Sequence, residues 1–320
     1  MKHVWLITGL LAVFIHIEAE VLRVVSYNVE NLFHPKHDSI MVDSTWMETD
    51  DYEWTPEGLR RWSYTRYMRK TENIARVLTN IGEWEGIDVA GLQEVENAKV
   101  VKKLCETMRR REYGFVHYDS PDRRGIDVAL VYKKARIDTL HTQAIRIQHS
   151  EFSTRDILYV CARIDKRDTI HFFVCHMPSQ RGGASESEWK RETARKVLLQ
   201  ATDSIVAENK DAKIVVMGDF NKDSKFKIQD SKIDIKNLRF KKADTDKGTH
   251  KFQGKWECLD QFYVSANLDS LSRVRIYDAE WIMEPDEKYM GLKPKRTYNG
   301  FRYQNGYSDH LPIVLEICSK

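Results

Sequence analysis

The stretch Ile214-Val-Val-Met-Gly-Asp-Phe-Asn221 constrains the fold of this chain more than any other. Its four apolar, mostly β-branched residues read as a buried strand that stops at Gly218. Asp219 and Asn221 follow, two residues apart, and project to one side if the chain stays extended. An acid and an amide then share the rim where a buried strand ends, a place where loops carry chemistry. Gly-Asp-x-Asn is equally turn chemistry, with Asp and Asn closing an Asx-turn. Taken alone, the stretch supports both readings.

Other apolar runs repeat the pattern. Val21-Leu-Arg-Val-Val-Ser-Tyr27 is a strand that ends in Asn28-Val-Glu30. Ile87-Asp-Val-Ala-Gly-Leu92 is a second, delivering Gln93 and Glu94. Ile126–Tyr132 is a third, announced by Arg123-Arg124-Gly125, and Leu259–Val264 is strand-like. Ile157–Ile164 and Thr169–Cys175 read as a hairpin with His176 beyond it. Tyr307-Ser-Asp309-His310 is a loop feeding a last strand. Helical spacing predicts helices over 62–80 and 98–110, and Ser185-x-x-Glu188 reads as a capping box opening another. Strands alternating with helices, followed by strand pairs, give mixed sheets with helices packed outside. Residues 34–58 form a long aromatic and acidic loop, and residues 222–247 a lysine-rich surface excursion. With no internal repeat and no Pro/Gly/Ser-rich linker, residues 20–320 read as one domain.

The 51 basic and 48 acidic residues leave a net charge of +3, which says little about a polyanionic partner. Hydrophobic content of 42% and charged content of 31% fit a globular enzyme with a sizeable core. Residues 1–19 read as a signal peptide: Lys2 and His3 precede an apolar run from Val4 to Ile17 that is short for a membrane span. The expected location is secreted or periplasmic, with the mature chain starting near Glu20. The five Cys show no CxxC spacing and read chiefly as buried thiols, with a Cys161–Cys175 disulfide left open. Nothing implies a protein partner or membrane contact, and a monomer is expected.

Several predicted strands end in a polar cluster: Asn28 and Glu30, Glu94, His176, Asp219 and Asn221, Asp309 and His310. Such groups are costly to bury without purpose, so their recurrence at strand ends points to one shared site. Carboxylates and amides are hard oxygen donors, suited to Mg²⁺, with Mn²⁺ or Ca²⁺ as alternatives, rather than to zinc. No HExxH and no Gly-rich phosphate cradle before a Lys is present. Histidines beside carboxylates and a hard metal fit attack by water on a phosphorus ester.

Ser26-Tyr-Asn28, Leu92-Gln-Glu94, Gly218-Asp-Phe-Asn221 and Ser308-Asp-His-Leu-Pro312, in this order, resemble the motifs of the endonuclease/exonuclease/phosphatase superfamily, and the leader resembles that of a secreted bacterial member. The resemblance spans residues 21–318. It implies a DNase I-like α/β fold: a four-layer sandwich of two mixed β-sheets flanked by helices, with the site at one edge. It also implies metal-dependent hydrolysis of phosphate esters. By this resemblance Glu94 binds the metal, Asn28 supports metal and phosphate, and Asp309 is a further metal-side acid. Asp219 resembles the acid that orients or deprotonates water, Asn221 the amide that holds phosphate, and His310 the histidine on the phosphoryl oxygens. Asp260 matches the acid that pairs with that histidine. His176 matches the position facing the scissile phosphate or leaving group. Glu30 is a further metal-facing candidate. Arg124, beside Asp127, is expected to place a cation near phosphate, and Arg296, Tyr298 and Trp256 are candidates to line a pocket or simply to pack.

The function implied is an exported, Mg²⁺-dependent phosphodiesterase with nucleic acid as the leading substrate. One alternative is a phosphatase or phosphodiesterase on a small or lipid-derived ester, of sphingomyelinase or inositol-phosphate type. Trp46, Trp54 and Trp62 would then be candidates for membrane contact. A different class is a binding protein that kept the fold and lost the chemistry.

Overall fold

In the computed structural model, residues 21–42, 45–108, 112–180, 183, 185–222, 238–243, 245 and 247–318 are described. The leader and most of the lysine-rich excursion, residues 223–237 above all, lie outside these residues. Twelve strands build the two large sheets: β1 (Val21–Leu32), β2 (Val89–Val95), β3 (Tyr113–His117), β4 (Asp127–Lys133), β5 (Ile137–Ile145), β6 (Ile157–Ile164), β7 (Asp168–His176), β8 (Lys213–Asp219), β9 (Leu238–Lys241), β10 (Asp260–Ser265), β11 (Ser272–Ile276) and β12 (Ile313–Cys318). The first sheet runs β11-β12-β1-β2-β4-β3 and the second β9-β10-β8-β7-β6-β5. Each is mixed, with one parallel pair at its heart: β1 with β2, and β7 with β8. Parallel neighbours need a crossover. Helix α1 (Tyr64–Gly82) supplies the first and α3 (Glu188–Glu208) the second; α2 (Ala98–Thr107) follows β2.

Burial alternates along the strands and sorts the core into layers. Val24 and Leu22 of β1 pack with Val215 and Met217 of β8 between the sheets. Val25 and Tyr27 face the other way, onto Ile74, Val77 and Leu78 of α1 and Val101 of α2. Ile214 and Val216 of β8 meet Ala194 and Leu198 of α3. The order is helices, sheet, sheet, helix, as the resemblance implies. Strands covered on both faces become continuous apolar runs, which is why the central ones are legible in sequence. The sheets approach so closely at Gly91 that a Cβ there would lie 2.7 Å from Met217 Sδ.

Several local expectations need correction. Helix α3 starts at Glu188, not Ser185: Ser187 is its N-cap, without a side-chain cap bond, and Glu188 turns to Arg191 and Lys222 instead. Helix α1 starts at Tyr64, because the Ser63 hydroxyl accepts from Arg66 N. Residues 34–58 are not a plain loop. They contain a hairpin (Ser39–Val42 with Thr45–Glu48) and a 3₁₀ turn at Tyr52–Trp54 that sinks Trp54 into the core. Trp54 stacks on Phe33 and meets Trp62 edge-on, and Trp62 Nε1 donates to Phe33 O at 2.8 Å. Of the three tryptophans considered for membrane contact only Trp46 is exposed, at 66%. No described helix is long and apolar enough to cross a membrane. All five cysteines are free: Cys161 pairs in register with His171, four residues short of Cys175.

Candidate active site

The site forms where one end of each sheet meets. On the second sheet, register alone sets three of its members in a row: Asp219 pairs with His176 on one side and with Asp260 on the other. On the first sheet Asn28 pairs with Gln93, so Glu94 follows beside it. The loop before β12 brings Asp309 and His310 to the same place. Ser308 fastens it by donating from Oγ to Asn28 O (2.7 Å) and accepting from His310 N (3.0 Å).

Gly218 is required where it stands. Its φ is 147°, and a Cβ would collide with the carbonyl oxygen of Cys175. Asp219 therefore leaves the strand at a fixed angle, and Asn221 (φ 49°) turns back. Both readings of this stretch hold, on different oxygens. Asp219 Oδ1 accepts from Asn221 N at 2.8 Å, closing an Asx-turn. Oδ2 accepts from Asn28 Nδ2 at 3.1 Å and lies 3.6 Å from His176 Nε2 and 3.9 Å from His310 Nε2. Asn221 and Asp219 do not share a side. Asn221 Nδ2 donates to Met177 O (3.0 Å), tying the end of β8 to that of β7.

His310 bridges the sheets. Its Nδ1 donates to Asp260 Oδ2 at 2.7 Å, in a pair with the acid fully buried. Burial opposes the charged ring, but Asp260 first, then Asp219 and Asp309, outweigh it and hold the His310 pKa well above the usual range. His176 is the opposite case. Burial, with Arg155, Arg124 and His310 adding like charge, pushes its pKa well below the usual value, so its imidazole is neutral. Burial also raises Asp219, to about 6, with Asp260 adding repulsion against the opposing field of His310.

Glu94 sits at a positive φ of 65° and lies 3.9 Å from His176 Nε2. Among the described residues no hydrogen-bond donor reaches its carboxylate, and a mostly buried, unsatisfied acid beside Asn28 fits a hard divalent cation. A second group of donors, His250, Asp309 and His310, has one atom of each within 4.8 Å of the others. Asp309 itself is gripped by Arg296 Nη2 at 2.9 Å. Burial would raise its pKa, yet the charges of His310 and Arg296 lower it. Glu30 lies on a bulge of β1, accepts from Thr297 N and pairs with Arg296 Nε at 3.3 Å.

Arg124 stands near enough to act on His176, and its Nε is 3.6 Å from Asp122 Oδ1. Asp127 is turned away, accepting from Ser120 Oγ and facing His117 Nε2 at 3.4 Å, a buried structural acid. Tyr298 packs on Trp54 and Trp62, and Trp256 against the same core. Three residues gave no signal in sequence. Buried Arg155 spans Asp122 Oδ2 (2.8 Å) and Met177 O (2.9 Å), joining the Arg124 loop to the His176 loop. Lys70, fully buried on α1, donates to Thr297 Oγ1 and to Tyr307 O (2.6 Å). Burial lowers its pKa to about 8 against the pull of Glu30 and Asp309. The His250 ring lies 5.0 Å from that of His310.

The fold is shared with known structures. TDP2 from Caenorhabditis elegans superposes with a TM-score of 0.59 at 15% identity, over 94% of this chain and 75% of that one. The mannosyl-6-phosphatase Bt3783 of Bacteroides thetaiotaomicron gives 0.57 at 17%, over 93% and 100%. The human Nocturnin catalytic domain, with a bound sulfate anion, gives 0.56 at 18%, over 92% and 93%. At such identities the likeness establishes the fold. No curated protein sequence matches the chain. A family model covers residues 23–319, and by that match the chain belongs to the endonuclease/exonuclease/phosphatase family.

Proposed function

We propose that this protein is an exported, Mg²⁺-dependent hydrolase of phosphate esters, acting on phosphodiesters by direct attack of water. The observation that carries the reading is the Asp219 carboxylate. It is held by Asn28 and faces His176, whose pKa is pushed down, and His310, whose pKa is pushed up, across the junction of the sheets. When bound at Glu94 and Asn28, with Asp309 as a further oxygen donor, a hard divalent cation supplies charge neutralisation at a non-bridging phosphate oxygen. Asp219 orients the water and accepts its proton. His310, locked by Asp260, donates to the phosphoryl oxygens as charge builds on them. Asn221 retains one amide N–H for phosphate after bonding Met177. His176 faces the scissile phosphate or the leaving group, with the charge of Arg124 acting on it. No covalent intermediate is needed. The leader, residues 1–19, directs export in this reading.

Nucleic acid is the leading substrate on the strength of the lysines that follow Asn221. A specific observation favours the second reading, a small ester. The cations placed around the site are largely taken up by acids: Lys222 pairs with Glu188 and Arg124 with Asp122, while Arg296 gives one edge of its guanidinium to Glu30 and Asp309 and keeps only the other. A long polyanion needs several unmatched phosphate contacts, and its affinity then falls steeply with salt. Steady-state rates with Mg²⁺ on plasmid DNA, a dinucleotide and simple diesters, at low and high salt, separate the two. A nuclease cuts plasmid DNA with a KM that climbs with salt. Turnover of small esters alone, at every salt concentration, overturns the nucleic-acid assignment.

A further inference from the structure

Arg296 is held at the site in an unusual way. Its guanidinium carries five N–H donors in a rigid fork. Nε, 3.3 Å from Glu30 Oε1, and Nη2, 2.9 Å from Asp309 Oδ2, engage two carboxylates along one edge. The outer edge, Nη1 and the second Nη2 hydrogen, has no partner among the described residues. The side chain is 42% exposed, while Glu30 and Asp309 beneath it are 6% and 23% exposed. Two sunken acids thus grip the inner edge and turn the outer edge toward solvent.

The backbone around Arg296 is fixed as firmly. Tyr307 N donates to Lys295 O at 2.6 Å and Gln304 N to Thr297 O at 2.8 Å. Gly306 packs so tightly on the carbonyls of Lys295 and Arg296 that a Cβ would not fit. Lys70 reaches up from α1 to Thr297 Oγ1 and Tyr307 O. Glu30 accepts from Thr297 N on its other oxygen, Oε2, which fixes the carboxylate that holds Arg296. Asp309 directly precedes His310, which places the fork at the rim of the phosphoryl site.

We propose that Arg296 is a phosphate-binding residue of this site, presented by Glu30 and Asp309 so that its outer edge grips two non-bridging oxygens of a phosphoryl group. A planar fork already immobilised on one side matches such a group and loses little further freedom on binding it. This inference rests on the phosphoester reading above, and its test is separate from turnover.

The experiment measures inorganic phosphate binding by calorimetry to the full-length protein in excess chelator, for wild type, Arg296→Gln, Arg296→Lys and Glu30→Gln. Loss of charge-assisted bonds of this kind corresponds to about 10- to 100-fold in affinity. Arg296→Gln is expected to bind phosphate at least tenfold more weakly. Arg296→Lys, which keeps the charge without the fork, should regain only part of this, and Glu30→Gln should weaken binding by loosening the fork. On any ester the wild type turns over, Arg296→Gln should raise KM more than it lowers kcat. A folded Arg296→Gln or Arg296→Lys protein that binds phosphate as wild type does, whatever its melting temperature, overturns the inference. So does a wild-type protein that binds no phosphate with or without Mg²⁺. Turnover with Arg296-independent phosphate binding would leave the hydrolase and remove the Arg296 role. Arg296-dependent binding without turnover of any ester would do the reverse.

Discussion

Replacing Asp260 by Asn tests the pair that holds His310. The substitution keeps the shape and removes the charge beside Nδ1, now 2.7 Å away and fully buried. Burial alone works against the imidazolium, and Asp260 is the first of the groups that reverse it. Taking one partner from a buried pair costs about 3–5 kcal/mol if the other stays charged, which exceeds the cost of simply losing the proton. His310 in the variant should therefore lose its proton at a lower pH than in wild type, where the pair holds its pKa well above the usual range. If its positive charge stabilises the transition state, kcat/KM should fall about 10²- to 10⁴-fold. Lowering the pH should restore part of the rate, until Asp219 protonates near its pKa of about 6. Stability should follow with a definite sign. A histidine pKa raised on folding contributes stability that is fully present below the unfolded value of about 6.5 and is lost as pH rises through the folded value. The difference in melting temperature between wild type and Asp260→Asn should thus be widest below that pH. The assay is a pH–rate profile with NMR titration of the ring protons, extended to His310→Ala and the double variant. Residues acting as a unit are non-additive, so the double loss should be close to the larger single loss. Multiplicative losses, or a His310 that titrates near the ordinary value of about 6.5 in the wild-type protein, would show that Asp260 and His310 do not act as a pair.

Two further substitutions probe the frame. Asn28→Ala removes a donor whose bond lowers the Asp219 pKa, so the acid limb of the pH–rate profile should move to higher pH; an unmoved limb would show that Asn28 does not govern Asp219. Gly218→Ala forces a Cβ against the Cys175 carbonyl at a φ of 147° and should cost about 3 kcal/mol in urea denaturation, while a loss below about 0.5 kcal/mol would show that the turn tolerates a side chain.

The central strands were legible because each is covered on two faces and reads as an apolar run. The four edge strands, β3, β5, β9 and β11, were not, and the reason is the same. β5 has one buried residue, Ile137, in nine and carries Asp138, His141 and Gln143 toward solvent. Polar edges limit pairing with other chains and erase the signal that periodicity detects. The site was legible through residue types at strand ends, since chemistry limits what can stand there. Its directions were not. Asn221 points to Met177 and not beside Asp219, because Gly218 and Asn221 both leave extended geometry. Arg155 and Lys70 were invisible for another reason. Each serves the site through loops more than 20 positions away in sequence, and one Arg before a strand or one Lys in a helix carries no local mark.

In the proposed reaction Glu94 anchors a divalent metal that the enzyme uses to hydrolyse a phosphate ester. Turnover of bis(4-nitrophenyl) phosphate by wild type and Glu94→Gln, each across a Mg²⁺ titration and in excess chelator, decides this role. Wild-type activity should vanish with chelator and return with Mg²⁺, and a folded Glu94→Gln protein should be at least about 10²-fold slower and need more Mg²⁺. Full activity in excess chelator, or a Glu94→Gln protein with wild-type rate and Mg²⁺ dependence, would contradict it.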